Sequence, residues 1–218
     1  MKIIAFNGSP RKKRNTATLL QSALEGAASR GAETEVVDLY DIDYKGCISC
    51  YACKKIEKPT FGHCAVKDDL APVLRKAVEA DGLIFGTPIY YGAQSGMLRC
   101  FLERLLYPLY PLAPDKETLF PRTIPTAFFY TMGVSEEMAA ELGYGQVIGL
   151  AETWLKRLFG GPNETLLATG TLHVDDYTPF GPVYIDVADR KRRHAEVFPE
   201  DCRKAFAIGA RMADAAKG

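Results

Sequence analysis

The sequence has no net charge. Its 27 lysine and arginine residues are matched by 27 aspartate and glutamate residues, so no global field draws the chain to nucleic acid or to an anionic membrane surface. It also lacks any apolar run near the ~20 residues of a membrane span, and the opening Met1–Phe6 segment meets a glycine-containing turn too early to be a secretion signal. Neither Gly-x-x-x-x-Gly-Lys-Ser/Thr nor Gly-x-Gly-x-x-Gly occurs, which excludes a P-loop nucleotide hydrolase and a dinucleotide-binding Rossmann unit. No repeat, low-complexity tract or Gly/Ser-rich linker divides the chain. Histidine is scarce, with three residues (63, 173, 194), none within a motif. These absences predict a soluble, cytoplasmic protein of one domain, 1–218, without nucleic-acid or membrane partners.

What is present is a βα alternation with 47% apolar residues, ample for a closed core. Lys2–Phe6 reads as a buried strand ended by Asn7-Gly8-Ser9-Pro10, and a helix from Asn15 carries Leu20, Ala23, Leu24 and Ala27 on one face, with Gly31 as its stop. Thr34–Leu39 suits a second strand, and a long cysteine-bearing loop, 45–66, follows. A helix through Leu70, Leu74 and Ala77, the strand Gly82–Gly86 and a turn Thr87–Gly92 come next. A helix through Met97, Phe101 and Leu105 has Ser95 at the N-cap position. Tyr107–Ile124, with four prolines, reads as a loop whose apolar start, Tyr107–Leu112, either folds over its own domain or is buried in an oligomer. Then come a strand Ala127–Thr131, a helix from about Gln146 to Phe159, a strand Thr165–Thr171 and a helix starting at Pro199. Residues 172–198 give no periodic signal. Alternation of this kind predicts a parallel sheet covered on both faces, with ligands at the carboxyl ends of the strands.

Two of the turns on that edge carry chemistry. Gly8 to Thr16 places Ser9, Asn15 and Thr16 and the cations Arg11, Lys12, Lys13 and Arg14 before a helix N-terminus, a natural seat for a phosphate monoester. The same residue types also merely cap helices. Thr87 to Gly96 joins a rigid backbone, two adjacent tyrosines and glycines that admit a flat ring, although such tyrosines also pack on neighbouring loops.

Taken in order, Gly8-Ser9-Pro10-Arg11 with Asn15-Thr16, then Pro88-Ile89-Tyr90-Tyr91 with Ser95-Gly96-Met97-Leu98 and Phe101, resemble the NAD(P)H-dependent FMN reductase and multimeric-flavodoxin family, which includes the iron–sulfur flavoproteins. The likeness covers residues 1–135 well and the remainder only as a βα pattern. It implies a flavodoxin-like three-layer α/β sandwich with a five-stranded parallel sheet of order 2-1-3-4-5. It further implies an FMN whose phosphate meets Ser9, Arg11, Asn15 and Thr16, with Pro88, Ile89, Tyr90, Tyr91, Gly92 and Ser95 along the isoalloxazine, and Thr131 and Gly133 closing its other side. The implied reaction passes a hydride from NAD(P)H to flavin N5 and then electrons to a quinone, a flavin or another small acceptor, with no catalytic acid, base or nucleophile. An iron–sulfur flavoprotein or flavodoxin-like carrier serving a protein acceptor is the alternative. Members of that family are commonly dimers or tetramers, so a homodimer or homotetramer is expected.

Cys47-x-x-Cys50-x-x-Cys53, with Cys64 after a ten-residue gap, has ferredoxin-like spacing. Free thiols, a [4Fe–4S] cluster and structural zinc all remain open for these four residues. Cys100 and Cys202 fall on helix faces as core residues.

Overall fold

The computed structural model describes residues 1–217. In chain order its strands are β1 (Lys2–Asn7), β2 (Glu33–Asp38), β3 (Gly82–Tyr90), β4 (Ala93–Gln94), β5 (Ile124–Thr131) and β6 (Gly160–Ala168), and its helices are α1 (Asn15–Ala28), α2 (Leu70–Glu79), α3 (Gly96–Leu109), α4 (Glu136–Glu141), α5 (Tyr144–Phe159), α6 (Val187–Glu196) and α7 (Phe198–Ala215). Five strands pair in parallel in the order β2-β1-β3-β5-β6, and β4 hooks back antiparallel onto the end of β3. The sheet therefore has six strands where five were expected. Counting the parallel strands alone restores the expected 2-1-3-4-5 path.

The central strands are buried on both faces, so side chains alternate between two cores. Ile4, Phe6, Leu83, Phe85, Phe128 and Tyr130 point toward α2, α3 and α5, where Phe6 stacks on Phe101 at 4.5 Å. Ile3, Ala5, Ile84, Ala127 and Phe129 point toward α1 and α7. Those two helices cross with their backbones nearly touching. A Cβ on Gly26 would stand 1.9 Å from the Phe206 carbonyl oxygen, and one on Gly209 would stand 1.8 Å from that of Ala23. Only glycine at both positions permits this approach, which fixes α1 against the sheet.

The structure departs from the sequence reading at several places. Thr87–Tyr90 belongs to β3 and is not a turn, because Pro88 pairs beside Thr131 in a position that asks no N–H of it. The true turn is Tyr91-Gly92, both in the left-handed region (φ 48° and 79°), and this tight hairpin creates β4. Helix α3 continues through Pro108 to Leu109. The N–H that proline lacks falls in the last turn, and the Lys54 ammonium binds the nearby carbonyls of Tyr107, Pro108 and Tyr110. Pro108, Leu109 and Pro111 are buried, so the apolar run folds over its own domain and only Leu112 stays well exposed. Strand β6 starts at Gly160, five residues early, since the left-handed Gly160 (φ 70°) both ends α5 and turns the chain into the sheet. Helices α4 and α6 had no counterpart in the sequence reading. No residue of α6 is buried, so it shows no apolar stripe to find.

Candidate functional site

The carboxyl ends of β1, β3 and β5 open onto a cleft lined by Ser9, Arg11, Arg14, Asn15, Thr16, Pro88, Ile89, Tyr90, Thr131, Met132, Gly133, Thr171 and His173. Nine of the twelve expected cofactor residues thus meet there, and Tyr91, Gly92 and Ser95 adjoin it through the hairpin. A larger, mainly apolar cavity of about 720 Å³ lies elsewhere, between α3 and α5. The smaller cleft is the one that combines donors, cations and a ledge.

Its first wall is the start of α1. Like α2 and α5, α1 has no side-chain cap and no acidic residue in its first turn, but its start is the one that lines this cleft. Its first amides therefore face the cleft with the positive end of the helix dipole behind them. The preceding turn is rigid: Asn7 Oδ1 accepts from the Ser9 amide at 3.0 Å, and Ser9 Oγ accepts from the Arg11 amide at 3.2 Å. Lys12 pairs with Asp41 and Asp38, and Arg14 pairs with Asp175, while Arg11 has no ion pair among the described residues. Thr16 and Thr131, both buried, share a hydroxyl hydrogen bond of 2.8 Å that ties α1 to β5.

The opposing wall is the β3–β4 hairpin. Tyr90 is partly exposed and the Tyr91 ring stands fully in solvent. Partial burial pushes the Tyr90 phenol above its ordinary pKa, so it stays protonated at neutral pH. Ser95 is fully buried and its hydroxyl is spent on the backbone: it donates to the Gly8 carbonyl at 2.6 Å and accepts from the Leu98 amide. It therefore clamps the Gly8 turn to the hairpin and faces the cleft only through what it holds.

The third wall was not legible in the sequence. Residues 171–175 follow β6 and are tied to α1 by Asn15 Nδ2, which donates to the Leu172 carbonyl at 3.0 Å, and by a two-pronged Arg14–Asp175 contact at 2.6 and 2.7 Å. His173 lies in this segment. A Cβ on Gly133 would stand 2.2 Å from its Nε2, so the glycine makes room for the imidazole.

The four expected metal ligands lie apart from this cleft, by the C-terminal half of α3. Cys47, Cys50, Cys53 and Cys64 line one shallow depression with Tyr51, Arg104 and Tyr107. Cys47 and Cys50 are exposed, Cys53 is buried and Cys64 is intermediate, and all are free thiols. Among the described residues no three metal-ligating side chains come together in metal-binding geometry. Burial raises the Cys53 thiol above its ordinary pKa. The loop hangs on Arg104, 2% exposed, which donates to Asp68 Oδ1 at 2.8 Å, to the Lys45 carbonyl at 3.1 Å and to Cys64 Sγ at 3.3 Å.

The model of the NADPH-dependent FMN reductase family matches residues 1–141. An iron–sulfur flavoprotein of Methanocaldococcus jannaschii is 40% identical over 104 residues, 48% of this chain and 51% of that protein. One from Archaeoglobus fulgidus is 26% identical over 215 residues, 99% of this chain and 80% of that protein. The chain spans about half the length of several of the curated relatives it matches. A solved NAD(P)H:quinone oxidoreductase from Methanothermobacter marburgensis superposes with a TM-score of 0.71 at 16% identity, over 96% of this chain and 98% of that one, a likeness of fold. An archaeal flavodoxin superposes with a TM-score of 0.53 at 15% identity over the whole of both chains. No helix is long and apolar enough to cross a membrane, among the described residues.

Proposed function

Because the chain belongs to the NADPH-dependent FMN reductase family, we propose that it is an FMN-dependent oxidoreductase taking electrons from NAD(P)H and passing them to a quinone, a flavin or another small acceptor. The observation that carries this reading is the joint presence, in one cleft, of an uncapped helix start with Arg11, which has no ion pair among the described residues, and of the Pro88–Tyr90 ledge. The residues fit the cofactor at both ends. Neutral donors and the Arg11 guanidinium suit a phosphate monoester, and a hairpin with two partly or fully exposed tyrosines suits a flat ring. When bound, FMN supplies hydride acceptance at N5 and onward electron delivery.

The chain's own part is to bind, orient and shield. Ser9, Asn15 and the first amides of α1 would hold the phosphate with Arg11, and the Thr16–Thr131 pair keeps that end in register with β5. Pro88, Ile89 and Tyr90 offer a stiff edge for the ring, Tyr91 and Gly92 shape its rim, and Gly133 opposite gives its space to the His173 imidazole. Ser95 couples the two ends. Anaerobic addition of NADPH or NADH to the FMN-loaded protein tests the reading. Rapid bleaching of the flavin absorbance is expected, and its absence with both nucleotides would overturn the assignment.

A second reading, an electron-transfer iron–sulfur flavoprotein, is favoured by the four cysteines sharing one depression beside Arg104, with Lys54 close by. Cations suit a cluster of thiolates, and a [4Fe–4S] group there would need Cys47, Cys50, Cys53 and Cys64 to draw together. Iron and acid-labile sulfide in protein prepared without air would support it. Flavin reduced by a ferredoxin-type donor and by neither nucleotide would make the protein a carrier.

We also propose a homodimer or homotetramer, supported by the apolar cavity between α3 and α5, whose rim carries the exposed Leu150. A solution mass equal to the 24.0 kDa chain would refute it. Six free thiols suit a reducing compartment, and we assign the protein to the cytoplasm.

A further inference from the structure

His173 is held in the cleft more firmly than a surface histidine needs. The chain on either side of it is tied to the start of α1, through Leu172 to Asn15 and through Asp175 to Arg14. Its own amide donates to the buried Tyr177 hydroxyl at 3.0 Å, which fixes the segment from below. One side of the ring lies against Gly133. His173 lines the same cleft as Ser9, Arg11 and Thr16, Arg11 is close enough to act on its charge, and neither ring nitrogen has a hydrogen-bond partner among the described residues.

The charges around this ring are lopsided. Arg11 approaches from the phosphate turn and Arg190 from α6, and neither has an ion pair among the described residues. Of the two carboxylates on its own segment, Asp175 is bound to Arg14 and Asp176 accepts from the Thr178 amide. Partial desolvation first, then repulsion from Arg190 and Arg11, holds the imidazole below the ordinary histidine pKa. An anion entering among these groups reverses the sign of the local field and favours the imidazolium.

We propose that His173 is a further phosphate-contacting residue of the cofactor site, its imidazole taking a proton from solvent as the FMN phosphate binds and donating a charge-assisted hydrogen bond to it. The inference rests on the FMN reading above. It makes FMN binding proton-linked: affinity rises as the pH falls toward the histidine range, until the second ionisation of the phosphate itself, near pH ~6, takes over. Riboflavin, which has the ring and lacks the phosphate, shows no such linkage.

The test follows the imidazole signals of the three histidines by NMR, with His173→Gln identifying the resonance. With FMN bound, the His173 midpoint should move up by about one pH unit or more, while saturating riboflavin leaves it in place. In parallel, flavin fluorescence should show His173→Gln weakening FMN binding about tenfold at pH 6 and much less at pH 8, with riboflavin affinity unchanged. Thermal unfolding of the variant, matching the wild type, excludes a folding defect. A midpoint that stays put while FMN is demonstrably bound, or that moves equally with riboflavin, overturns the proposal and leaves the cofactor reading standing. Failure of the wild-type protein to bind FMN overturns both.

Discussion

At the strand ends, the groups facing the cleft hang from a parallel sheet whose ladders already fix them, and short contacts such as Ser95–Gly8 and Thr16–Thr131 only trim the fit. Between residues 45 and 66 there is no ladder. The cysteine loop is pinned to α3 by a few charged side chains, Arg104 and Glu103 from the helix and Lys54 from the loop. The first region inherits its geometry from the core and tolerates the loss of a single contact. The second concentrates its geometry in very few atoms, so one substitution there should undo a whole surface.

The sharpest way to break this comparison is Arg104→Met, which keeps the bulk of the side chain and removes the charge. Asp68 and the Lys45 carbonyl lose their partner, and a loss of about 3 kcal/mol is expected by denaturant unfolding. Cys53 and Cys64 should then react faster with a thiol reagent, while FMN affinity changes little. Unchanged stability would show that the loop has another anchor. Thr16→Val comes next, leaving the buried Thr131 hydroxyl unpaired at a cost of about 1–2 kcal/mol and weakening FMN binding in the same variant. Arg11→Ala separates affinity from stability. Its side chain is exposed and unpaired, so unfolding should stay within ~0.5 kcal/mol of wild type while FMN binds about tenfold more weakly.

Acid gives the smallest effect. The Arg104 guanidinium holds the Asp68 carboxyl below the ordinary value of 3.8. A depressed folded pKa means the pair's contribution is present above that ordinary value and fades as the pH falls through the folded one. Wild-type protein should therefore lose this increment below about pH 4, and Arg104→Met should not. Equal acid slopes for the two proteins would contradict the assignment.

Much of the cleft could be read directly, because it is written in contiguous turns. Gly8–Thr16 follows, and Pro88–Gly92 ends, a strand that announces itself by an unbroken apolar run. What escaped notice was spatial. His173 comes from a segment with no periodicity and meets the cleft only because β6 delivers it there and Asn15 and Arg14 hold it. Arg104 sits on a helix face like any polar residue, and only its 2% exposure shows it to be an anchor. Pro88 and Pro108 misled in opposite settings: proline disfavours strands and helices in general, yet both positions ask no hydrogen bond that a neighbour does not replace. The extent of β6 was misjudged because Gly160 and Gly161, which directly follow the helix ending at Phe159, are also the first residues of the strand.

The crossing at Gly26 and Gly209 bears on how the molecule is assembled. The anion seat is carried by the first helix, but that helix finds its packing partner only in the seventh, whose backbone fills the groove beside Ala23. During synthesis the ribosome must release α7 before α1 can settle into its final bearing. A nascent chain lacking α7 therefore presents the cleft residues before α1 has the backing that holds them in place.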